Sequence, residues 1–456
     1  MRPSLRPPAV VTLGAVLALV PALAVSAAVQ RQTSIISPPS GETAQADGPS
    51  DNTAFSQDNR VVRLVAYDSA AKNLVAGDSN GKRDVFVLAR VTGDGALTGT
   101  LSRVSVSSRG KQANGDSTKP SIDGEGSKRP HCVTFESKAT NLDRGDRSSD
   151  SDIYLRDLRS RRTSLISIGH RNATNGVVDG SCEFITYEAR GYVFVRDLVE
   201  DRTTRIAQGS NPDQQTNGKG VAYERRGQIY HQAYQRVFNS GDPTVKRIGR
   251  EVLASAGSAK GNGVSRNPSL DDNGFYVAFE STATNLCVNL CKGVSTDGNG
   301  TVSDVFRRTL SSRAPTKDRM QMVSYSFAVN EQGNGPSRNP AMTGAGENIL
   351  FDSEATNLRQ SAAISLIDPN GPVRDIYYWN FPRVRQEGNV SRESRPGAGT
   401  EQGGFYNGAS TNPSTSNRAN YIGFTSTQTG LSGEANGPSI ADVFMRYLGA
   451  GPEATE

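Results

Sequence analysis

Histidine is scarce in this chain of 456 residues: His131, His170 and His231 fall in different stretches and share no motif. No H-E-x-x-H pair, G-x-S-x-G elbow or phosphate-cradling glycine loop is present, which removes the zincin, serine-hydrolase and P-loop classes. His231 lies on an expected strand, where packing accounts for it better than catalysis. Tryptophan occurs once, as Trp379, away from any Ser-x-Asp-x-Gly turn of the sialidase type. Apolar runs end with the N-terminal stretch, so the mature chain offers no span of the roughly 20 residues that a bilayer requires. A large charge of one sign is missing too. The net charge of +5 falls to +3 without Arg2 and Arg6, and the remaining basic residues are scattered. That balance suits solubility and gives no footprint for nucleic acid.

What is present is glycine, 47 residues of it, with aromatics at 7% and hydrophobics at 35%. Many short strands joined by polar turns fit that profile better than helices do. Residues 1–28 read as a secretory signal peptide. Arg2 and Arg6 make its basic start, Ala9 to Val20 its apolar stretch, and Val25-Ser26-Ala27-Ala28 its small-residue cleavage site. The expected mature protein is therefore secreted or periplasmic, with a main domain over 29–448 and a polar tail over 449–456. In an oxidising compartment the four cysteines become disulfide candidates. Cys287 and Cys291 can pin one loop, whereas Cys132 and Cys182 precede equivalent strands of successive repeats and could bridge them. Metal ligation by these cysteines is not expected, because they form two separated pairs rather than one site.

The repeat itself occurs seven times. Its clearest copy is Asn267-Pro268-Ser269-Leu270-Asp271-Asp272-Asn273-Gly274-Phe275-Tyr276-Val277-Ala278-Phe279-Glu280-Ser281. Related cores are Val65-Ala66-Tyr67-Asp68-Ser69, Val133-Thr134-Phe135-Glu136-Ser137, Ile185-Thr186-Tyr187-Glu188 and Val221-Ala222-Tyr223-Glu224. Two more are Ile349-Leu350-Phe351-Asp352-Ser353 and Ile422-Gly423-Phe424-Thr425-Ser426. Each unit reads as a first strand, an Asp/Gly turn, the aromatic core as second strand, a loop, a third strand such as Asp304-Val305-Phe306, and a fourth such as Arg162 to Ser167. Four antiparallel strands per unit make a propeller blade, so the expected fold is an all-β, seven-bladed β-propeller. Pro120, Pro268, Pro340 and Pro413 fit the innermost strand, whose free edge faces the channel and needs no N–H donor. The last unit stops after its third strand. Arg31-Gln32-Thr33-Ser34-Ile35-Ile36-Ser37 resembles the outer strand of blade two, which predicts that the N-terminal segment completes blade seven.

The clearest copy, followed by Asp304-Val305-Phe306, resembles the WD40-like propeller repeat of TolB-type proteins, over most of residues 31–448. The resemblance implies the propeller fold. Relatives of this type include envelope-complex partners and peptidase-associated propellers, so it names no single activity. Seven units, where TolB has six, are a departure from that protein.

Three loops before the third strand place side-chain oxygens around a glycine: Asp78, Asn80 and Asp84; Asp297, Asn299 and Asp304; and Asp368, Asn370 and Asp375. Glu434 to Asp442 and Asp146 to Asp152 are looser versions. The pattern resembles the first half of a calcium loop but lacks the closing bidentate Glu, and Asx turn caps account for it better. No motif requires a cofactor; calcium is the one ion these loops could take. The recurrent Leu74, Leu142, Leu286 and Leu358 read as loop anchors. Blades three and four lack the long loop, which would leave a notch on one rim bordered by Glu188, Arg190, Glu224, Arg225 and Arg226. Asn114, Asn262, Asn334 and Asn407 begin Asn-Gly segments expected near the channel mouth on that face. The expected function is a monomeric binding or scaffolding protein of the cell envelope, its partner a protein or a glycan. The alternative is a glycosidase or polysaccharide lyase with acid and base at the channel mouth.

Overall fold

The computed structural model describes residues 33–37, 45–58, 62–90, 99–126, 128–238, 244–287, 291, 297–310, 320–359, 368, 370–381, 389–395, 408–431 and 440–449. The signal stretch, Glu434 to Gly437, Asn407 and all of the tail but Gly449 lie outside them. Seven four-stranded antiparallel sheets are arranged in a ring, a seven-bladed β-propeller. In blade one the strands are Ser50–Phe55, Leu64–Ser69, Asp84–Arg90 and Gly99–Arg103. Blade two begins at Ser117–Ile122, blade three at Ala173–Val178 and blade four at Ser210–Gln214. Blades five, six and seven begin at Ser265–Leu270, Ser337–Met342 and Ser410–Thr415.

Second strands such as Leu64–Ser69 and Cys132–Ser137 are buried along their whole length. Both faces of each sheet pack on a neighbouring blade, so these strands carry apolar and small residues without alternation. Directly opposite pairs on the second and third strands repeat an aromatic contact. Tyr67 faces Phe86, Phe135 faces Tyr154, and Phe279 faces Phe306, with ring centroids about 6 Å apart, as favours offset stacking. Packing continues from blade seven to blade one, where Tyr421 and Val443 share a core cluster with Phe55, Val65 and Tyr67.

Blade seven takes its fourth strand from the other end of the chain: Thr33–Ile35 pairs with Asp442–Tyr447, Thr33 opposite Arg446 and Ile35 opposite Phe444. The Arg446 guanidinium is buried beside Glu393 of blade six at 2.9 Å and donates to Thr33 Oγ1 at 2.8 Å. Burying an ion pair is costly unless its remaining donors are satisfied, and here Thr33 and the Arg395 carbonyl supply acceptors.

The turns joining first and second strands meet below the channel. Gly124 N–H donates to Gly180 C=O, Gly180 to Thr216, Asp272 to Gly344, and Gly344 to Asn417, at 2.8–3.0 Å. A side chain at Gly180 would place its Cβ 2.6 Å from the Gly124 carbonyl oxygen, so the approach depends on glycine. Two disulfides form, Cys132–Cys182 between blades two and three and Cys287–Cys291 within a loop of blade five.

Candidate functional site

Each innermost strand carries a β-bulge at the same place, and one residue of each bulge has a left-handed backbone. These residues are Asn52, Lys119, Asn175, Asn211, Asn267, Asn339 and Asn412, with φ between 47° and 55°. Asparagine tolerates that region better than most side chains, which explains its recurrence. In five of the blades, proline follows in the bulge, at Pro120, Pro212, Pro268, Pro340 and Pro413, where no ladder donor is needed. The amides line the upper end of the channel around an opening of about 310 Å³. Asn211 donates to Asn267 at 2.9 Å and Asn267 to Asn339 at 3.0 Å, so neighbouring blades are joined amide to amide. In blade two Lys119 replaces asparagine and reaches Asn175 Oδ1 at 2.9 Å.

The acidic residue that ends each aromatic core serves this ring. Asp68 accepts the N–H of Lys119, Glu136 that of Asn175, Glu188 that of Asn211, Glu224 that of Asn267 and Glu280 that of Asn339. Blade seven has Thr425 at that position. The carboxylate is supplied there by Asp51 of blade one, whose Oδ1 accepts from Asn52 N–H, Asn412 Nδ2 and Thr425 Oγ1 at 2.6–2.8 Å. Glu188 and Glu224, expected on the rim, therefore belong to the channel wall. Asp352 stands apart, with Oδ2 accepting from Asn339 at 2.7 Å and the buried Oδ1 without a partner; burial pushes its carboxyl up to about 6. The signal for this ring was in the sequence, as Asn before Pro at one point of the repeat, but only as the start of a strand.

On the upper face most described polar groups of the long loops bond one another. Asn114 donates to Thr140 Oγ1 at 2.9 Å and accepts the Thr140 N–H at 2.8 Å; Asn262 and Asn334 repeat the clasp with Thr284 and Thr356. These asparagines hold loop to loop and are absent from the channel lining. Leu74, Leu142, Leu286 and Leu358 are buried beneath. In blade one the guanidinium of Arg103 lies 3.4 Å from both Asp78 and Asp84, and Asn80 donates to Asp84 at 2.8 Å. Arg392 bridges Asp368 and Asp375 in blade six at 3.3 Å. Nitrogen donors thus stand where a cation would have to enter these two loops. Blade five has Met322 at the arginine position. There Gln332 Nε2 bridges Asp297 at 2.9 Å and Asp304 at 2.8 Å. Asp297 Oδ2 and Asn299 Oδ1 remain unpartnered, and burial raises the Asp304 carboxyl to about 7.

Blades three and four differ. Their second and third strands are joined by two-residue turns, Arg190-Gly191 and Arg226-Gly227, and a single residue, Gly209, links blade three to blade four. Arg190 and Arg226 are exposed in left-handed conformations at the turn tips. Neither makes a hydrogen bond or ion pair with a described residue. Arg225 is engaged instead: it forks onto Glu251 and lies over the Tyr230 ring, 3.9 Å from its centroid. Beside the turns, exposed Val264 packs within 3.6 Å of where a Cβ on Gly227 would stand, and Ile168 is exposed on the loop entering blade three. His170, on that loop, shares a hydrogen bond of 2.7 Å with Tyr187 and stacks on Phe194. His231 is buried against Gln215, and burial pulls its pKa down to about 4.

No family model matches the chain, and no curated protein matches it. Among solved structures, it is similar to TolB from Acinetobacter baumannii, at 14% identity and a TM-score of 0.34 over 65% of this chain. It spans 58% of that TolB chain. An oligogalacturonate lyase in complex with manganese matches at 11% identity, covering 93% of this chain and 94% of that one, with a TM-score of 0.46. The β-propeller domain of the trilobed protease from Pyrococcus furiosus matches at 9% identity, covering 90% and 98%, also at 0.46. Each is a likeness to a solved structure at very low identity.

Proposed function

We propose that this propeller is an exported binding or scaffolding protein of the cell envelope, which receives a protein or glycan partner over the low sector at blades three and four. Arg190 and Arg226 would meet acidic groups on the partner, with Ile168 and Val264 offering apolar contact beside them. The observation that supports this most is the state of those two arginines. They stand at turn tips, exposed and without an acceptor among the described residues, while the neighbouring Arg225 is spent on Glu251 and Tyr230. Contacts of this kind steer association and fix register more than they add affinity.

The enzyme alternative needs a pair of carboxyl groups free to act as acid and base on one substrate. In the described channel wall five of the repeated carboxylates each accept a backbone N–H from the next blade, and Asp352 keeps one buried oxygen without a partner.

The test is capture from envelope extract by the wild type, by Arg190→Glu/Arg226→Glu and by a control, Arg247→Glu/Arg250→Glu, on the exposed outer strand of blade four. Loss of a saturable partner in the first variant alone, with unchanged folding, is the expected result. Equal capture by all three would end the notch reading.

A further inference from the structure

The Cys132–Cys182 bridge has two more metal-type ligands beside it. Asp123 and His131 bring a carboxylate oxygen and Nδ1 to the two sulfurs, and these four atoms all lie within 4.8 Å of one another. They come from three pieces of chain. Asp123 closes the turn between first and second strands of blade two, and His131 with Cys132 opens the second strand. Cys182 sits in the matching turn of blade three. The carboxylate is already oriented: its Oδ1 accepts the N–H groups of His131 and Cys132 at 2.8 and 2.9 Å, which leaves Oδ2 at 3.1 Å from His131 Nδ1. His131 Nδ1 has no hydrogen bond of acceptable geometry.

Comparison with sister turns shows what is particular to this seam. Asp123, Asp179 and Asp271 all cap their turns through backbone N–H groups, so that aspartate is a repeat feature. Cys182 is not. It occupies a left-handed position, φ 56°, where the equivalent turns of blades four, five and six have Gly218, Gly274 and Gly346 and that of blade seven has Ala419, φ 55°. A cysteine is held there against its backbone preference. Cys287–Cys291 has no such surroundings: among the described residues the seam holds the one group of three or more His, Cys, Asp or Glu placed to share an ion.

We propose that Asp123, His131, Cys132 and Cys182 form a redox-gated zinc site across the seam between blades two and three. With the bridge intact, the seam is held covalently. A dithiol reductant transfers two electrons to the bridge and is itself oxidised to a cyclic disulfide, and two cysteine thiols result. Zinc then displaces one proton from each thiol and is held by two thiolates, one imidazole nitrogen and one carboxylate oxygen. Overall, disulfide, dithiol and Zn²⁺ give the zinc dithiolate, the oxidised dithiol and two protons. Two sulfurs with nitrogen and oxygen suit tetrahedral zinc, whose bonds of about 2.0–2.3 Å set ligand atoms about 3.3–3.8 Å apart. Breaking the S–S bond lets the sulfurs spread to that spacing while the other ligands close in. The same seam is thus cross-linked in either redox state.

The full chain would be titrated with Zn²⁺ against a chromophoric chelator, oxidised and after reduction with a non-chelating phosphine. Co²⁺ would report thiolate ligation through its charge-transfer absorption. The expected result is one ion per reduced chain and none at the seam when oxidised. Cys132→Ser/Cys182→Ser should abolish binding although Cys287 and Cys291 are still reduced. His131→Ala, which leaves the bridge able to form and the oxidised fold intact, should weaken binding by more than about 10-fold, the least loss expected for a first ligand. Equal binding by the oxidised chain, or binding to the reduced wild type no tighter than to the double variant, would overturn the proposal. So would a reduced chain that loses its sheet signal and does not recover it with zinc.

Discussion

In blades one, two, five and six the chain leaves the sheet after the second strand and builds a long loop, most of whose described polar groups bond within it or to the next loop. In blades three and four it turns back within two residues, with nothing for the turn to clasp. Both sectors use the same ladder of carboxylate, backbone N–H and asparagine along the channel, so the difference is confined to the upper face. There the long-loop blades spend Asn114, Asn262 and Asn334 on neighbouring loops and Arg103 and Arg392 on their own aspartates. The short-loop blades leave Arg190 and Arg226 without a partner among the described residues. A repeat scaffold is uninformative where its copies agree, and its candidate contact surface is where they diverge.

The largest effect should come from the element on which both sectors depend. Deleting 33–37 removes the buried Ile35 and Ile36 from blade seven, a loss of about 3–6 kcal/mol from those side chains alone. A melting temperature unchanged by the deletion would show that the N-terminal strand does not hold the ring. Next is the loop anchor: Leu286→Ala is expected to cost about 2–5 kcal/mol, as a buried leucine does. Arg190→Glu/Arg226→Glu should stay within about 0.5 kcal/mol. Equal denaturation midpoints for these two variants would erase the distinction between a structural and an unspent sector.

A smaller effect separates two blades of the same sector. Asp84 has Arg103 beside it, whereas Asp304 accepts from the Gln332 amide and the Ser324 hydroxyl and has no guanidinium beside it among the described residues. The folded Asp304 carboxyl is raised to about 7 from 3.8, chiefly by burial, so its protonated form is the one the fold prefers. Its contribution to stability is therefore complete below about pH 4 and is lost as the pH rises to about 7. Asp304→Asn should remove that part of the slope in a plot of melting temperature against pH, and parallel curves for variant and wild type would refute it. The smallest effect expected is that of chelation. EDTA should leave the melting temperature unchanged, since arginines or an amide bridge the loop carboxylates. A fall in the wild type that Asn299→Ala abolishes would assign calcium to blade five.

Much of the fold could be read from the chain. Tyr67, Phe135, Phe279 and Phe351 mark second strands because both faces of those strands are buried, a condition written into six consecutive residues. Leu74 and Leu286 read as anchors for the same reason: burial of one large side chain is a local demand. The candidate site was read less well. Glu188 and Glu224 stand within two residues of arginines in sequence, which suggests a shared place on the rim. In the fold an adjacent residue on a strand points the other way, so these glutamates turn to the channel while Arg190 lies at the turn tip.

Strand position, blade count and the exposed turn arginines follow from periodicity within one unit, since alternation and turn chemistry act over a few residues. Which polar groups are free does not, because each acceptor finds its donor in the next blade. Asn211 lies 23 residues from Glu188, and Asn267 lies 43 from Glu224. The gathering of Asp123, His131, Cys132 and Cys182 is of the same kind, with 50 residues between the two cysteines. Closing the ring brings such groups within hydrogen-bonding or ligand distance, and no spacing within a single repeat encodes it.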